Sequence, residues 1–303
     1  MVQNLESEKV DLIIAGISLA PGVARRRRIV NKVMTGLVFT AVVLAIVPLV
    51  LILGEVVLRG APAINLSFLT NLPRPVGVPG GGIANALVGS FIMVGLATLI
   101  AVPIGVGAGI FFSEWPESRL SIVSSFANDV LAEFPSIVIG IFVYVVIVLS
   151  TKTFSGFAGA LALSIIMIPI IARTTEESLK IVPITLREAS MALGVSRWRT
   201  VIRVVISTGK SGLATGILLA VARAAGETAP LILTALGSFY FPQGLFQPTA
   251  ALPLLIYTYG ISPFRDWQTQ AWGAALILII IMLAFNLSVK LFIGRRPAER
   301  AET

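Results

Sequence analysis

The sequence predicts an all-α, polytopic membrane protein with six transmembrane helices and with both termini in the cytoplasm. Three observations predict this fold class. Hydrophobic residues make up 56% of the chain and charged residues only 13%, whereas a water-soluble domain carries about 25% charged residues. Six apolar stretches are long enough to cross a bilayer, and the basic residues gather in alternate connections. The mean hydropathy of +0.94 therefore indicates a chain whose main solvent is lipid.

The spans are placed where about 20 mostly apolar residues follow one another. They are Val33–Leu58, Ile83–Phe112, Phe126–Leu149, Phe157–Ala172, Gly212–Leu236 and Ala271–Ile293. The fourth is the shortest and contains Pro169. The predicted outer connections are rich in Pro and Gly, which favours turns or short re-entrant pieces.

The orientation follows from the distribution of Lys and Arg. With the amino terminus inside, the predicted cytoplasmic side holds 18 of the 23 basic residues, including Lys290 at the inner end of the sixth span, the outer segments hold four, and Arg223 lies deep inside a span. Cationic loops face the cytoplasm, so the net charge of +8 is explained without a nucleic-acid partner. Glu6, Glu8 and Asp11 precede the apolar stretch 12–20, which is the wrong charge for a secretory signal. Residues 1–28 are therefore predicted to be a mobile cytoplasmic tail.

The composition also excludes much chemistry. The chain has no cysteine and no histidine, which removes disulfides, thiolate nucleophiles, Fe–S clusters, the Ser–His base and the commonest metal ligand. We expect no metal, no cofactor and no catalytic residue.

The longest polar stretch is the loop 173–211 between the fourth and fifth spans. Thr185-x-x-Glu188 has the capping-box spacing of a helix start, and Gly194 supplies a helix stop. Ser196 is predicted to cap a second, amphipathic helix at the membrane surface. Its apolar side comprises Val195, Trp198, Val201, Ile202 and Val205. Such an elbow either anchors the loop or docks a soluble partner.

The motif Glu188-Ala189-Ser190-x-x-x-Gly194 resembles the EAA coupling motif of ABC-importer permeases, although Ser207 stands where that family usually has a proline. Gly81-Gly82-Ile83 and the run from Ala222 to Pro230 resemble, more specifically, phosphate permeases of the PstA type. The resemblance covers roughly Ile83 to Ile293.

This resemblance implies a type I ABC-importer permease (MetI-like) in the cell membrane, with phosphate as cargo. It implies a tail over 1–28, a first helix and external loop over 29–82, a permease core over 83–293 and a cytoplasmic tail over 294–303. It also implies a PstC-like second permease, a PstB-like ATPase dimer that hydrolyses ATP, and a PstS-like phosphate-binding protein. The residues implied to couple to the ATPase are Glu188, Ala189, Ser190 and Gly194.

One motif is a false lead. Thr208-Gly209-Lys210-Ser211 resembles the end of a phosphate-binding P-loop, but Val204 stands where the first glycine is needed and no strand precedes it. ATP binding is therefore assigned to another subunit.

Arg223 and Glu227 are predicted to lie near the middle of the fifth span, four residues apart on one face. Each charge costs about 2.5–3.5 kcal/mol at that depth. They either form a structural ion pair or line a substrate pathway, where the planar guanidinium suits phosphate. A ladder of small residues, Gly212, Gly216, Ala220 and Ala224, predicts close packing inside a helix bundle.

Arg173 joins this predicted pathway through its match to the permease family, although a simple membrane anchor explains it equally well. Asp129 and Glu133 are either gate residues or ordinary helix-end residues. Arg223 cannot distinguish phosphate from sulfate, molybdate or tungstate, so the cargo could be any of these oxyanions. An ion-coupled carrier or a structural membrane protein is the alternative to an ABC-importer permease.

Overall fold

The computed structural model describes residues 21–78 and 80–294 of the 303-residue chain. These residues are mostly helical, and they contain one isolated backbone bridge, between Leu236 and Thr249, but no strand. The predicted all-α class is therefore confirmed. The helices are α1 (Pro21–Gly60), α2 (Leu66–Thr70), α3 (Ala84–Glu114), α4 (Arg119–Glu133), α5 (Ser136–Thr151), α6 (Gly156–Lys180), α7 (Ile184–Ala192), α8 (Arg197–Ala225), α9 (Ala229–Thr234), α10 (Leu252–Gly260) and α11 (Arg265–Gly294).

Five of these helices, α1, α3, α6, α8 and α11, are each long and apolar enough to cross a membrane. The bent pair α4–α5 becomes a sixth span when it is counted as one. This agrees with six predicted spans, but several boundaries differ from the prediction.

Helix α1 begins at Pro21, so residues 21–28, which the prediction placed in the tail, are helical. Proline suits a first helical position because its missing N–H is not needed there, and Arg25–Arg28 are good helix formers. The remainder of the predicted tails, residues 1–20 and 295–303, lies outside the described residues. With 40 residues, α1 is about 60 Å long.

Helix α6 forms the centre of the buried core. It packs along α3 on one side, where Gly105 lies against Ile171 and Gly109 lies against Ala172 and Thr175. Two thirds of its most apolar segment is buried. The span predicted to end at Ala172 continues to Lys180, since Pro169 is accommodated inside the helix. Asn128 of α4 donates to the Pro169 carbonyl at 3.4 Å.

The predicted third span, Phe126–Leu149, is wrong as a single helix. The chain forms α4 and α5, which meet at a bend of 103°. The cause is local: a residue before proline avoids the helical region, and Phe134, before Pro135, is extended at φ −66° and ψ 133°. Hydropathy alone does not register such a break, because the average over residues 126–149 is dominated by the strongly apolar second helix.

The predicted fifth span, Gly212–Leu236, is also displaced. Helix α8 begins at Arg197, passes through a π-helical turn at 201–205 and ends at Ala225. The second elbow helix is therefore the first part of this span and not a separate surface helix. Only Val201 and Val205 of its predicted apolar side are deeply buried, while Trp198 and Ile202 are exposed.

Candidate functional site

The end of α8 places Arg223 and Glu227 beside a helix break. Arg223 lies in the last turn of α8, and Glu227 follows in the segment before α9. The break has a steric cause, since the ring of Pro230 would clash with the carbonyl four residues earlier, at Gly226, if the helix continued. The two charges are therefore at a helix end and not, as predicted, on one face of an unbroken helix.

The two side chains nevertheless pair. Arg223 Nε lies 3.7 Å from Glu227 Oε1. The Arg223 side chain is 54% exposed, whereas that of Glu227 is 17% exposed. The guanidinium therefore offers a free side, while the carboxylate is held against the protein.

Arg223 lines a small cavity of about 40 Å³ together with residues from three other helices. The rest of the lining is mostly apolar and comprises Leu131, Ala132, Phe134, Ser136, Ile139, Ile166 and Ile170. Two helix breaks thus meet in space, one between α4 and α5 and the other after α8. The cavity borders one side of the guanidinium, while more than half of the Arg223 side chain stays exposed.

Arg173 lies in a different setting. Its Nη1 pairs with Glu176 at 3.1 Å and its Nε pairs with Glu177 at 3.1 Å. Lys180 also binds Glu176, at 2.6 Å, and the charge of Asp129 acts on Arg173 from α4. Arg173 is therefore occupied by carboxylates.

The packing of α6 against α8 sets the distance between the two arginines. Thr174, next to Arg173, lies against Gly216. Arg223 lies seven residues further along α8 than Gly216, a distance of about 10 Å along the helix axis. The structure does not bring Arg173 into the cavity at Arg223.

The predicted ladder of small residues on α8 is confirmed. Gly212 contacts the side chain of Ser178, and Gly216 contacts that of Thr174. Ala220 and Ala224 are fully or almost fully buried. The ladder therefore lies against α6, as close helix packing requires.

A groove of about 420 Å³ follows this interface and was not predicted from the sequence. It is called the hydroxyl-rich groove here for its Thr and Ser residues, although most of its exposed surface is apolar and the hydroxyls of Thr174, Ser178 and Thr215 donate to carbonyls of their own helices. Its polar lining residues are Thr174, Glu177, Ser178, Ser211 and Thr215. Thr and Ser at i, i+3 and i+4 on two facing helices are a signal that could have revealed it.

Asp129 and Glu133 are exposed on α4, and Glu133 is its last residue. Among the described residues, no group of three or more acidic side chains is arranged to hold a metal ion.

The elbow consists of α7, Gly194 and the start of α8. The predicted capping box is wrong: α7 begins at Ile184 with Pro183 as its N-cap, so Thr185 is already inside the helix and caps nothing. The predicted stop is confirmed, because Gly194 has φ +80°. Its N–H donates to Met191 O and that of Val195 to Ser190 O, as in a glycine-ended helix. Ser190 Oγ and Thr200 Oγ1, 2.9 Å apart, join the two arms.

The solvent-exposed surface of the elbow carries many large hydrophobic side chains. Glu188 and Ala189 are exposed, and large hydrophobic side chains surround them without cover. These are Ile181, Ile184, Leu186, Met191, Leu193 and Trp198. Contiguous exposed apolar side chains of this kind mark an interaction surface.

The end of α3 binds both helices of the elbow, α7 and the start of α8. Arg187 of α7 donates to Glu114 Oε1 from Nε at 3.2 Å and from Nη2 at 3.1 Å. Arg197 of α8 donates to the Glu114 carbonyl, and its guanidinium lies over the Trp115 ring, 4.9 Å from the centroid. None of these contacts was predicted from the sequence. The signal that could have revealed them is Glu114, a carboxylate at the end of an otherwise apolar helix.

The P-loop-like segment Gly209-Lys210-Ser211 lies within α8. A helix directs its N–H groups along its own axis, so this segment has no loop that could surround a phosphate group.

Comparison with known proteins agrees with this architecture. Residues 101–295 match the family described as binding-protein-dependent transport system inner membrane component. The chain is 43% identical over 267 residues to the phosphate transport system permease protein PstA of Haemophilus influenzae, covering 88% of this chain and 94% of that protein. It is 40% identical over 295 residues to PstA 1 of Mycobacterium tuberculosis strain H37Rv, covering 95% of each. An inward-facing structure of the MetNI methionine ABC transporter has a similar fold, with a TM-score of 0.57 at 19% identity, covering 70% of this chain and 93% of that one.

Proposed function

The chain belongs to the family of binding-protein-dependent transport system inner membrane components, and we propose that it is the PstA-type permease subunit of an ATP-driven importer of inorganic phosphate. The phosphate permeases compared above cover nearly the whole chain at about 40% identity. The observation within the molecule that carries the proposal is Arg223, a half-exposed guanidinium beside two helix breaks in an otherwise apolar region.

An exposed cation in a membrane span needs a polar neighbour, because lipid would cost it about 2.5–3.5 kcal/mol. A second permease that faces α8 would enclose Arg223 in a pathway between the two subunits. Arginine fits the role, since it stays charged and its planar fork donates to two oxygens of a tetrahedral oxyanion. Glu227 would hold the guanidinium in place and weaken anion binding enough for the anion to leave.

The hydroxyl-rich groove between α6 and α8 would continue this path toward the cytoplasm. Arg173 would lie beside that exit. Its ion pairs with Glu176 and Glu177 would weaken its electrostatic attraction for the anion. Asp129, on the neighbouring helix, would add to the same control.

The partners follow from the importer class. We propose a PstC-like second permease, an ATPase dimer on the elbow and a phosphate-binding protein on the outer face, with both termini of this chain in the cytoplasm. The elbow residues Glu188, Ala189, Ser190 and Gly194 would contact the ATPase, supported by the exposed hydrophobic side chains around them. ATP hydrolysis then belongs to the partner, and this chain performs no covalent chemistry.

Phosphate uptake tests the proposal in cells that depend on this importer. Replacing Arg223 with Gln removes hydrogen bonds worth about 1.5–3 kcal/mol to a charged ligand, so we expect uptake to fall about 10-fold or more. Arg265→Gln, at the exposed start of α11, is the matched control and should leave uptake unchanged.

Three outcomes would contradict the proposal. Normal phosphate uptake by the Arg223→Gln variant would remove Arg223 from the pathway. Uptake into vesicles that continues without ATP would indicate an ion-coupled carrier, and uptake of sulfate or molybdate in place of phosphate would reassign the cargo.

A further inference from the structure

Helix α3 packs along the central helix α6, but no connecting segment leads directly from α3 into the elbow. Helix α6 enters the elbow through residues 181–183, and α8 leaves it directly after 195–196. Helix α3 instead ends at Glu114, and the chain then turns away into α4. Any movement of the elbow therefore reaches α6 and α8 through covalent bonds, whereas it reaches the end of α3 through side chains.

Arg187 provides the first of these connections. Besides its two hydrogen bonds to Glu114 Oε1, it donates from Nη1 to Val182 O at 2.7 Å and from Nη2 to Leu179 O at 2.9 Å. One guanidinium thus joins the end of α6, the elbow helix α7 and the end of α3. The pair is shielded from water, with side-chain exposures of 17% for Arg187 and 5% for Glu114.

The elbow is not packed tightly against α3 at this point. A cavity of about 190 Å³ lies under it, lined by Glu114, Arg187 and Arg197 among others. Beside this cavity, the direct contacts of α7 and of the start of α8 with the end of α3 are the charged ones of Arg187 and Arg197. A buried ion pair resists separation, because either charge left alone in a low-dielectric site is costly.

We propose that Glu114 is the positioning residue that ties α3 to the elbow, and that its ion pair with Arg187 determines how much phosphate import each ATP hydrolysed produces. The inference rests on the proposed function, because it needs an ATPase that moves the elbow. When the pair is present, α3 follows the elbow together with α6 and α8. Without it, the elbow moves while α3 lags behind, and ATP is hydrolysed without import.

The test uses the complete importer reconstituted in liposomes, with phosphate uptake and ATP hydrolysis measured on the same sample. Glu114→Gln is the simplest variant, but an unpaired Arg187 can impair folding. The double variant Glu114→Met/Arg187→Met removes both charges, a change that buried pairs commonly tolerate. We expect it to assemble and hydrolyse ATP while import per ATP falls about 3- to 30-fold, the range for residues that couple two sites.

Two controls match the charges removed. Glu117 lies three residues beyond Glu114 and is exposed, and Arg119 is exposed at the start of α4. Glu117→Gln and Arg119→Gln should keep the wild-type ratio of import to hydrolysis. A wild-type ratio in the Met/Met variant would overturn the inference.

A rescue experiment separates coupling from folding. The chain has no cysteine, so in Glu114→Cys/Arg187→Cys these are the two thiols of this chain that a short bifunctional reagent can join. Import per ATP should be low before linking and rise several-fold after it. A ratio that stays low once the link is verified would also overturn the inference. A wild-type importer that takes up no phosphate with ATP would instead overturn the proposed function.

Discussion

Gly216 of α8 lies directly against the side chain of Thr174 of α6, and the space for a Cβ atom at Gly216 is already filled by the Thr174 hydroxyl. Gly212 has the same relationship with Ser178, one helical turn away. The two helices are therefore held at the separation that a missing side chain allows. This spacing positions both Arg223 and the hydroxyl-rich groove.

Gly216→Ala should destabilise the protein by about 1–3 kcal/mol, because the added methyl group overpacks the interface. Thermal unfolding of the purified protein in detergent measures the effect. Gly107→Ala on α3 is the matched control, since nothing lies within 4 Å of a Cβ there. Equal stability of the two variants would contradict the close packing of α6 and α8.

Gly194→Ala should weaken attachment of the ATPase. The positive φ of +80° at Gly194 strains any residue with a Cβ atom, at a cost of about 1–2 kcal/mol. We expect the elbow to distort and less ATPase to co-purify with the permease. Gly77→Ala carries the same backbone strain at φ +81° on the predicted outer side. If both variants lose the ATPase equally, a general folding defect explains the result better than the elbow does.

Glu227→Gln should increase phosphate affinity and slow release. The Glu227 carboxylate, 3.7 Å from the Arg223 guanidinium, competes with phosphate for it, and the substitution removes this competition. Partly exposed ion pairs contribute about 0.2–1 kcal/mol, so we expect binding up to about fivefold tighter with slower uptake. Titration calorimetry on the purified permease pair and transport assays measure the two effects. Asp266→Asn, at the exposed start of α11, should change neither, and weaker binding by Glu227→Gln would refute the proposed competition.

The predicted orientation is tested by thiol labelling in this naturally cysteine-free chain. Leu193 on the elbow and Leu66 in the first outer connection are 85% and 76% exposed. A membrane-impermeant reagent should label Leu66→Cys in intact spheroplasts and Leu193→Cys only in inverted vesicles. The reverse pattern would place both termini outside.

Hydropathy predicted the existence of the spans well, because lipid selects long apolar helices regardless of their neighbours. It failed at Phe134 and at Gly226, where the helices break. Averaging over a window hides a single extended residue, although Pro135 and Pro230 were visible in the sequence and explain both breaks. The ladder of small residues was predictable because its four-residue spacing is itself a packing signal.

The ion pair between Glu114 and Arg187 was not predictable in this way. The two residues are 73 positions apart, and nothing local to either one specifies the other. Their pairing depends on how α3 ends beside α6, which only the packed helices determine. Thr185 led to a wrong prediction for the opposite reason. Its spacing to Glu188 fits a capping box, but Pro183 is the N-cap and the helix already begins at Ile184.

Helix α8 runs without a break from the elbow to the turn that carries Arg223, a length of about 43 Å for its 29 residues. A rigid helix of this length that tilted by 10° about its midpoint, near Gly212, would move each end sideways by about 4 Å in opposite directions. The elbow and the turn that carries Arg223 belong to this one continuous helix, so such a tilt would displace both at the same moment.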